Sequence, residues 1–271
     1  MRDQILGTQL LDHQIGLFYV GQEGYIIKYQ NRYYMIDAYL SDYVDRHCCS
    51  EAVKWVRNYD APISAGELDF VDYVFCTHAH FDHADPDTLR TLAGINSKAK
   101  YIMPAPAADV LKEYGISGEH IIRAHDGQSF TLGAVVVTPV PSAHEQLHSD
   151  ENGDFYEMGY RLQLGESVLY HAGDCCIYDG LEKRLGKVDI AMLPVNGRDY
   201  YRLNRDIIGN MTAPEAIELA EKIQARLLVP MHFDLYDCNG ISAASFVDAH
   251  HVAGAGVPYH IFQPGERYIF S

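Results

Sequence analysis

Apolar residues fall in short, β-branched and aromatic runs separated by glycine, asparagine and proline, with a few stretches of helical periodicity between them. Tyr25-Ile-Ile-Lys-Tyr29 and Tyr33-Tyr-Met-Ile-Asp37 flank the polar Gln30-Asn31-Arg32 and read as a hairpin. Val71 to Thr77, Lys100 to Met103 and His120 to Ala124 are further strands. Ser129 to Val140 predicts two strands about Gly133, and Tyr156 to Leu164 pairs with Ser167 to His171. Val188 to Leu193 reads as a buried strand, Arg226 to Met231 as the next, and Pro258 to Phe262 with Arg267 to Phe270 as the last. Helices are expected over Glu51 to Asn58, with Val53, Trp55 and Val56 as its apolar side, and from an Asp85 cap through Ala93, closed by Gly94. Pro106 to Tyr114 has proline early and Gly115 after it. Thr212-Ala-Pro-Glu215 is a capping box opening a helix to Gln224, and Ala243 to Ala253 is the last helix. Strands then helices, twice over and without a linker, predict one domain over residues 1–271, two sheets sandwiched between helices.

Composition narrows the partners. With 48% hydrophobic residues the chain can bury a sizeable core, and its net charge of −16 argues against nucleic acid, whose binding rests on neutralising phosphates. No stretch approaches the roughly 18 apolar residues of a membrane span. Met1-Arg-Asp-Gln-Ile-Leu-Gly7 lacks the basic and apolar regions of a signal peptide, so a cytoplasmic location is expected. Cys48-Cys49, Cys76, Cys175-Cys176 and Cys238 show no CxxC spacing and read as reduced thiols. Homo-oligomerisation stays open.

The chemistry concentrates at His78-x-His80-x-Asp82-His83, four ligand-type side chains where a predicted strand ends. Imidazole and carboxylate together suit zinc, manganese or iron. A second ion needs more ligands, and His144, Asp174 and His232 each lie just past a predicted strand, where α/β proteins gather their sites.

In this order the residues resemble the metallo-β-lactamase superfamily, from about Gly16 to the C-terminus. The resemblance implies an α/β fold, the αβ/βα four-layer sandwich, with its site at one edge of the paired sheets. It implies two divalent ions, zinc or manganese: His78, His80 and His144 on one, Asp82, His83 and His232 on the other, Asp174 between them. Two ions about 3.5–4 Å apart lower the pKa of a bridging water and polarise the attacked group, so that a hydroxide becomes the nucleophile. Asp82 and Asp174 are then the catalytic carboxylates, Asp82 orienting the water or taking its proton. Asp37 resembles the family's strand-end aspartate, a partner for the outer nitrogen of a ligand histidine.

Within the superfamily the closer similarity is to the L-ascorbate-6-phosphate lactonases and their relatives. It rests on Tyr19-Val-Gly-Gln-Glu-Gly24, Thr77-His-Ala-His-Phe-Asp-His83, Tyr170-His-Ala-Gly-Asp174, Met211-Thr-Ala-Pro-Glu-Ala216 and Val229-Pro-Met-His-Phe-Asp234. It implies opening of a small phosphorylated sugar-acid lactone. A phosphate needs a positive handle, and Asn196, Arg198, Arg202 and Arg205 follow a strand expected to end near the site, with His171 a further candidate. The same ions would serve a phosphodiesterase acting on a cyclic nucleotide or another phosphodiester. A non-catalytic metal-binding protein is the reading from another class.

Overall fold

The computed structural model describes residues 1–271, whose strands form two sheets. The first contains β1 (Ile15–Gly21), β2 (Gly24–Tyr29), β3 (Arg32–Ile36), β4 (Tyr73–Phe75), β5 (Lys100–Pro104), β6 (Ile121–Ala124) and, closing the chain, β13 (Arg267–Phe270). Their order is β13-β1-β2-β3-β4-β5-β6. The second contains β7 (Phe130–Leu132), β8 (Val135–Pro141), β9 (Met158–Leu164), β10 (Ser167–His171), β11 (Ile190–Pro194) and β12 (Leu227–Met231), ordered β12-β11-β10-β9-β8-β7.

The core between the sheets joins Ile15, Leu17, Ile27 and Phe75 to Val137, Leu162, Leu169 and Val229. Each such side chain contributes about 1.5–3 kcal/mol by leaving water. Helices α1 (Arg2–Gly7), α3 (Pro86–Ile95) and α4 (Val110–Glu113) place Ile5, Leu89, Leu92 and Leu111 against the outer face of the first sheet, and α2 (Tyr43–His47) packs Val44 beside Leu235 and Tyr236. Leu181, Leu185, Ala216, Ile217 and Phe246, from α5 (Leu181–Leu185), α7 (Ala213–Lys222) and α8 (Ala243–Ala253), cover the second sheet. The short α6 (Tyr200–Leu203) lies on the loop after β11. The layers are therefore helix, sheet, sheet, helix.

Strands β3 to β6 run parallel, as do β10 to β12, and β8 shares the direction of β10 because β9 is antiparallel to both. The C-terminal ends of these strands and the β1–β2 turn consequently meet at one edge.

Several boundaries depart from expectation. Strand β1 is buried along all seven residues, so it carries no polar alternation to announce it. The expected helix over Glu51–Asn58 does not form. Trp55 instead packs edge-on against Tyr236, the amide of Arg57 donates to Asp45 at 2.8 Å, and Val56 is exposed. Val53 is buried, so the three apolar residues have three different surroundings rather than one helical face. Pro106–Tyr114 is helical only at Val110–Glu113, Gly94 lies inside α3, and Tyr259 makes a single bridge to Leu228 instead of a strand. The Thr212–Glu215 capping box is present, and α8 spans Ala243–Ala253.

Candidate metal centre

The site begins where β4 ends. The backbone N–H and hydroxyl of Thr77 donate to the two oxygens of Asp37, at 2.8 and 2.6 Å, fixing the direction in which the chain leaves the sheet. A tight turn follows, in which the amides of His83 and Ala84 both donate to the carbonyl of His80. The side chain of Asp85 then caps α3 through the amide of Asp87. This turn brings His78, His80, Asp82 and His83 to one hollow, which His144 enters from the end of β8, Asp174 from β10 and His232 from β12.

Two ligand groups result. The donor atoms of His78, His80, His144 and Asp174 lie within 4.8 Å of one another, as do those of Asp82, His83 and His232. Asp174 stands between them. Its Oδ2 is 3.9 Å from His78 Nε2 and 3.5 Å from His144 Nε2, while its Oδ1 is 3.5 Å from His83 Nε2 and 3.3 Å from His232 Nε2. Asp82 Oδ2 faces the second group, 3.6 Å from His83 Nε2 and 3.5 Å from His232 Nε2.

The surroundings prepare these atoms to bind a cation. His83 Nδ1 lies 2.8 Å from Asp37 Oδ2, which orients the ring with Nε2 directed inwards; burial opposes its protonation, but Asp174, Asp82 and Asp37 push it well above the usual imidazole range. His78 Nδ1 is similarly engaged with Thr77 Oγ1 at 3.1 Å. Burial, with a crowd of other histidines, pushes His78 well below the usual imidazole range and His144 down to about 4, so both are neutral ligands near pH 7. Burial opposes ionisation of Asp82 and Asp174, but His83 and His232 beside them overcome it and hold both carboxyls low. Burial likewise opposes protonation of His232, yet Asp174 and Asp82 push it up to about 9. His78 Nε2 and His83 Nε2 are buried without a hydrogen-bond partner, a state costing about 1–3 kcal/mol each, and His144 turns its Nε2 towards Asp174 Oδ2. Unpartnered nitrogens converging on ionised carboxylates fit a divalent ion, and the donor types suit zinc, manganese or iron.

Three residues without an assigned role in the sequence reading complete the centre. Gln22, in the β1–β2 turn, places Nε2 3.0 Å from Asp82 Oδ2 and 3.1 Å from His232 Nε2. Glu23 is fully buried beside His83 and Asp174, with both carboxylate oxygens unpartnered. Asn210 donates to Asp174 Oδ1 at 2.9 Å. The signal for Gln22 and Glu23 was a polar pair inside an apolar strand-turn-strand run. Left-handed backbone at the non-glycine residues Gln22, Asp37, Glu145 and His232 (φ of 58°, 44°, 60° and 56°) gathers around the same edge, where such strain is tolerated in return for ligand placement.

The expected phosphate handle is not there. Arg198 is paired with Glu215 at 2.6 Å and also donates to the Asn210 carbonyl. Arg202 is buried and donates to the carbonyls of Asn196, Gly197 and Gly240. Arg205 lies 3.7 Å over the ring of Tyr201. Asn196 is buried and bonds to Asn239 at 2.9 Å, one layer behind the cavity. His171 is wholly buried, with Nε2 2.8 Å from the Glu23 carbonyl and Nδ1 accepting from Gly173 N–H. None of these five residues lines the cavity over the ligands. Arg202→Ala is accordingly expected to lower unfolding free energy by about 3 kcal/mol, because three carbonyls lose a charged donor. Urea denaturation would measure this, and a change below about 0.5 kcal/mol would show that the loop stands without it.

Above the ligands opens a cavity of about 190 Å³, floored by His80, Asp82, His144, Asp174 and His232. Its walls come from Val44, Cys48, Trp55, Phe81, Ile207 and Ile208, with Asp206 and Asn239 as the other polar members.

A layered sandwich with a buried histidine–aspartate cluster at its strand ends, open to a small cavity, defines the chain as a metal-dependent hydrolase. It belongs to the beta-lactamase superfamily: the profile described as "Beta-lactamase superfamily domain" matches residues 32–233. A "UPF0173 metal-dependent hydrolase" of Caldivirga maquilingensis is 26% identical over 221 residues, covering 78% of this chain and 86% of that protein. Another, of Methanoculleus marisnigri, is 31% identical over 173 residues, covering 61% and 67%. Among solved structures, the metallo hydrolase Igni18 from Ignicoccus hospitalis matches with a TM-score of 0.70 at 20% identity, covering 95% of this chain and 99% of that one. An isothiocyanate hydrolase from Delia radicum gut bacteria matches with a TM-score of 0.74 at 18% identity, covering 94% and 99%. These structural likenesses establish the fold.

Proposed function

We propose that the chain is a dinuclear hydrolase that opens a lactone. The observation that carries the dinuclear reading is Asp174, whose two oxygens face two separate groups of histidines across one carboxylate. The lactone reading draws on the five segments that resemble the lactonases. Four of them contribute to the centre or its immediate support, through Gln22 on Asp82, Thr77 on Asp37, Asp174 itself and His232, and the fifth, Met211–Ala216, directly follows Asn210, which bonds Asp174.

When bound, divalent ions at such a centre polarise an ester carbonyl and lower the pKa of water. The remaining work falls to the chain. Asp82, ionised and part-exposed on the cavity floor, accepts a hydrogen bond from the attacking water and takes one of its protons. Gln22 holds the carboxylate in place from the other side. The water oxygen forms the new bond to the carbonyl carbon, the ring C–O bond breaks, and the proton passes from Asp82 to the departing alkoxide. The product is one hydroxy acid, with nothing to release as a second fragment.

The test is to strip the protein with a chelator, reload it with zinc or manganese, and assay lactones, bis-nitrophenyl phosphate and thioesters. Turnover of a lactone that disappears on chelation and returns with metal is the expected result. Preference for the phosphodiester would replace the lactonase reading, and no turnover at full occupancy would favour a non-catalytic metal-binding role.

A further inference from the structure

We infer that the substrate is a small, uncharged lactone or ester whose apolar group packs against Trp55, and that a phosphorylated one is selected against; this rests on the hydrolase reading above and specifies its substrate. Beyond the ligand groups, Val44, Trp55, Phe81, Ile207 and Ile208 make up most of the cavity wall, with Cys48 and Asn239 beside them, and its one charged side chain is the carboxylate of Asp206. No lysine or arginine lines it. Arg198, Arg202 and Arg205, the cations nearest in sequence, are committed to Glu215, to backbone carbonyls and to Tyr201.

Charge at the floor points the same way. Asp82 and Asp174 place two carboxylates on the floor, and those of Glu23 and Asp37 lie buried beside His83. A phosphate dianion in the cavity would meet Asp206 and no cationic side chain of the wall, and would leave water without a compensating cation. An alkyl or aryl group meets the opposite situation. Trp55 is held edge-on to Tyr236 with ring centroids 5.2 Å apart, and Phe81 packs on Tyr43 at 4.9 Å, so both rings are fixed in position. Phe81 and Ile208 are left 38% and 39% exposed, apolar surface that such a group would cover. The cavity, about 190 Å³, is smaller than the roughly 300–1,000 Å³ usual for ligand pockets, which limits the group to a small one.

Trp55 is the only tryptophan of the chain, so its emission reports occupancy without any turnover. The zinc-loaded protein would be titrated with 2-pentylcyclopentanone, an uncharged ketone that cannot be hydrolysed. It would also be assayed on pentyl-substituted γ-butyrolactone and on gluconolactone 6-phosphate. Expected are a saturable shift in Trp55 emission with the ketone and a kcat/KM at least a hundredfold higher for the alkyl lactone. Trp55→Ala should raise KM for the alkyl lactone about tenfold, and Asp206→Asn should narrow the discrimination against the phosphorylated one. Equal or better turnover of the phosphorylated lactone overturns the inference and leaves the hydrolase reading standing. A saturable shift with neither lactone turned over supports the apolar site and counts against lactone hydrolysis. No shift with the ketone, together with an unchanged KM in Trp55→Ala, overturns the apolar site.

Discussion

Asp174→Asn is expected to reduce bound metal from two ions per chain to one or fewer and to lower kcat at least about a thousandfold. The two oxygens of this carboxylate address different histidine groups, Oδ2 towards His78 and His144, Oδ1 towards His83 and His232. Asparagine keeps the shape but turns one of those oxygens into an NH2 donor, which cannot ligate a cation. Whichever way the amide settles, one group loses its carboxylate. Loss of a mere outer partner costs about 10–100-fold in metal affinity or activity, so loss of a shared inner ligand should exceed that. The fold itself should survive. Asp174 is surrounded in the metal-free protein by Asp82, Glu23 and other buried groups, and removing one negative charge relieves repulsion as well as breaking contacts with His83 and His232. Elemental analysis of the purified variant, with the thermal midpoint taken before and after chelation, separates these effects. Two retained ions and near-normal turnover would remove Asp174 from the centre.

The ligands could be found from sequence because metal chemistry restricts both residue type and place. His78, His80, Asp82 and His83 sit on one turn, and His144, Asp174 and His232 each follow a strand whose apolar run was visible. A parallel sheet does the rest, since it delivers the ends of its strands to one edge. The direction of an arginine is not restricted in that way. Arg198, Arg202 and Arg205 looked like a phosphate handle because they follow β11, yet their partners are Glu215, which is distant in sequence, the carbonyls of irregular loops, and a neighbouring tyrosine ring. None of those contacts leaves a periodic trace. The cavity wall was hidden for a related reason. Val53, Trp55 and Val56 mimic a helical stripe, but Val53 is buried, Trp55 packs on Tyr236 and Val56 is exposed, so the segment that carries Trp55 to the cavity has helical spacing without a helix. Gln22 and Glu23 were part of a recognised segment, but only the folded β1–β2 turn shows that one polar side chain reaches Asp82 and the next lies buried beside His83.

Asp82→Asn is expected to lower kcat by about 100- to 10,000-fold even when metal is supplied in excess, the contribution usual for a positioned acid–base group. Asp82 differs from the other carboxylates in being both ligand-like and accessible: its Oδ2 lies near His83 and His232, while the side chain retains 18% exposure on the cavity floor. Two effects are therefore bound together in the variant. Loss of charge weakens the hold of the second group on an ion, and loss of the proton acceptor removes the step that carries a proton from water to the departing alkoxide. Titration with manganese tells them apart, because occupancy lost through weaker binding returns at saturation by mass action. The missing acceptor does not return, since an amide nitrogen offers a hydrogen where the carboxylate took one. The expected outcome is restored occupancy with kcat still depressed and KM little changed. Should kcat recover to within about twofold at saturating metal, Asp82 acts as a ligand alone, and the proton must be taken by another group on the cavity floor or by bulk water.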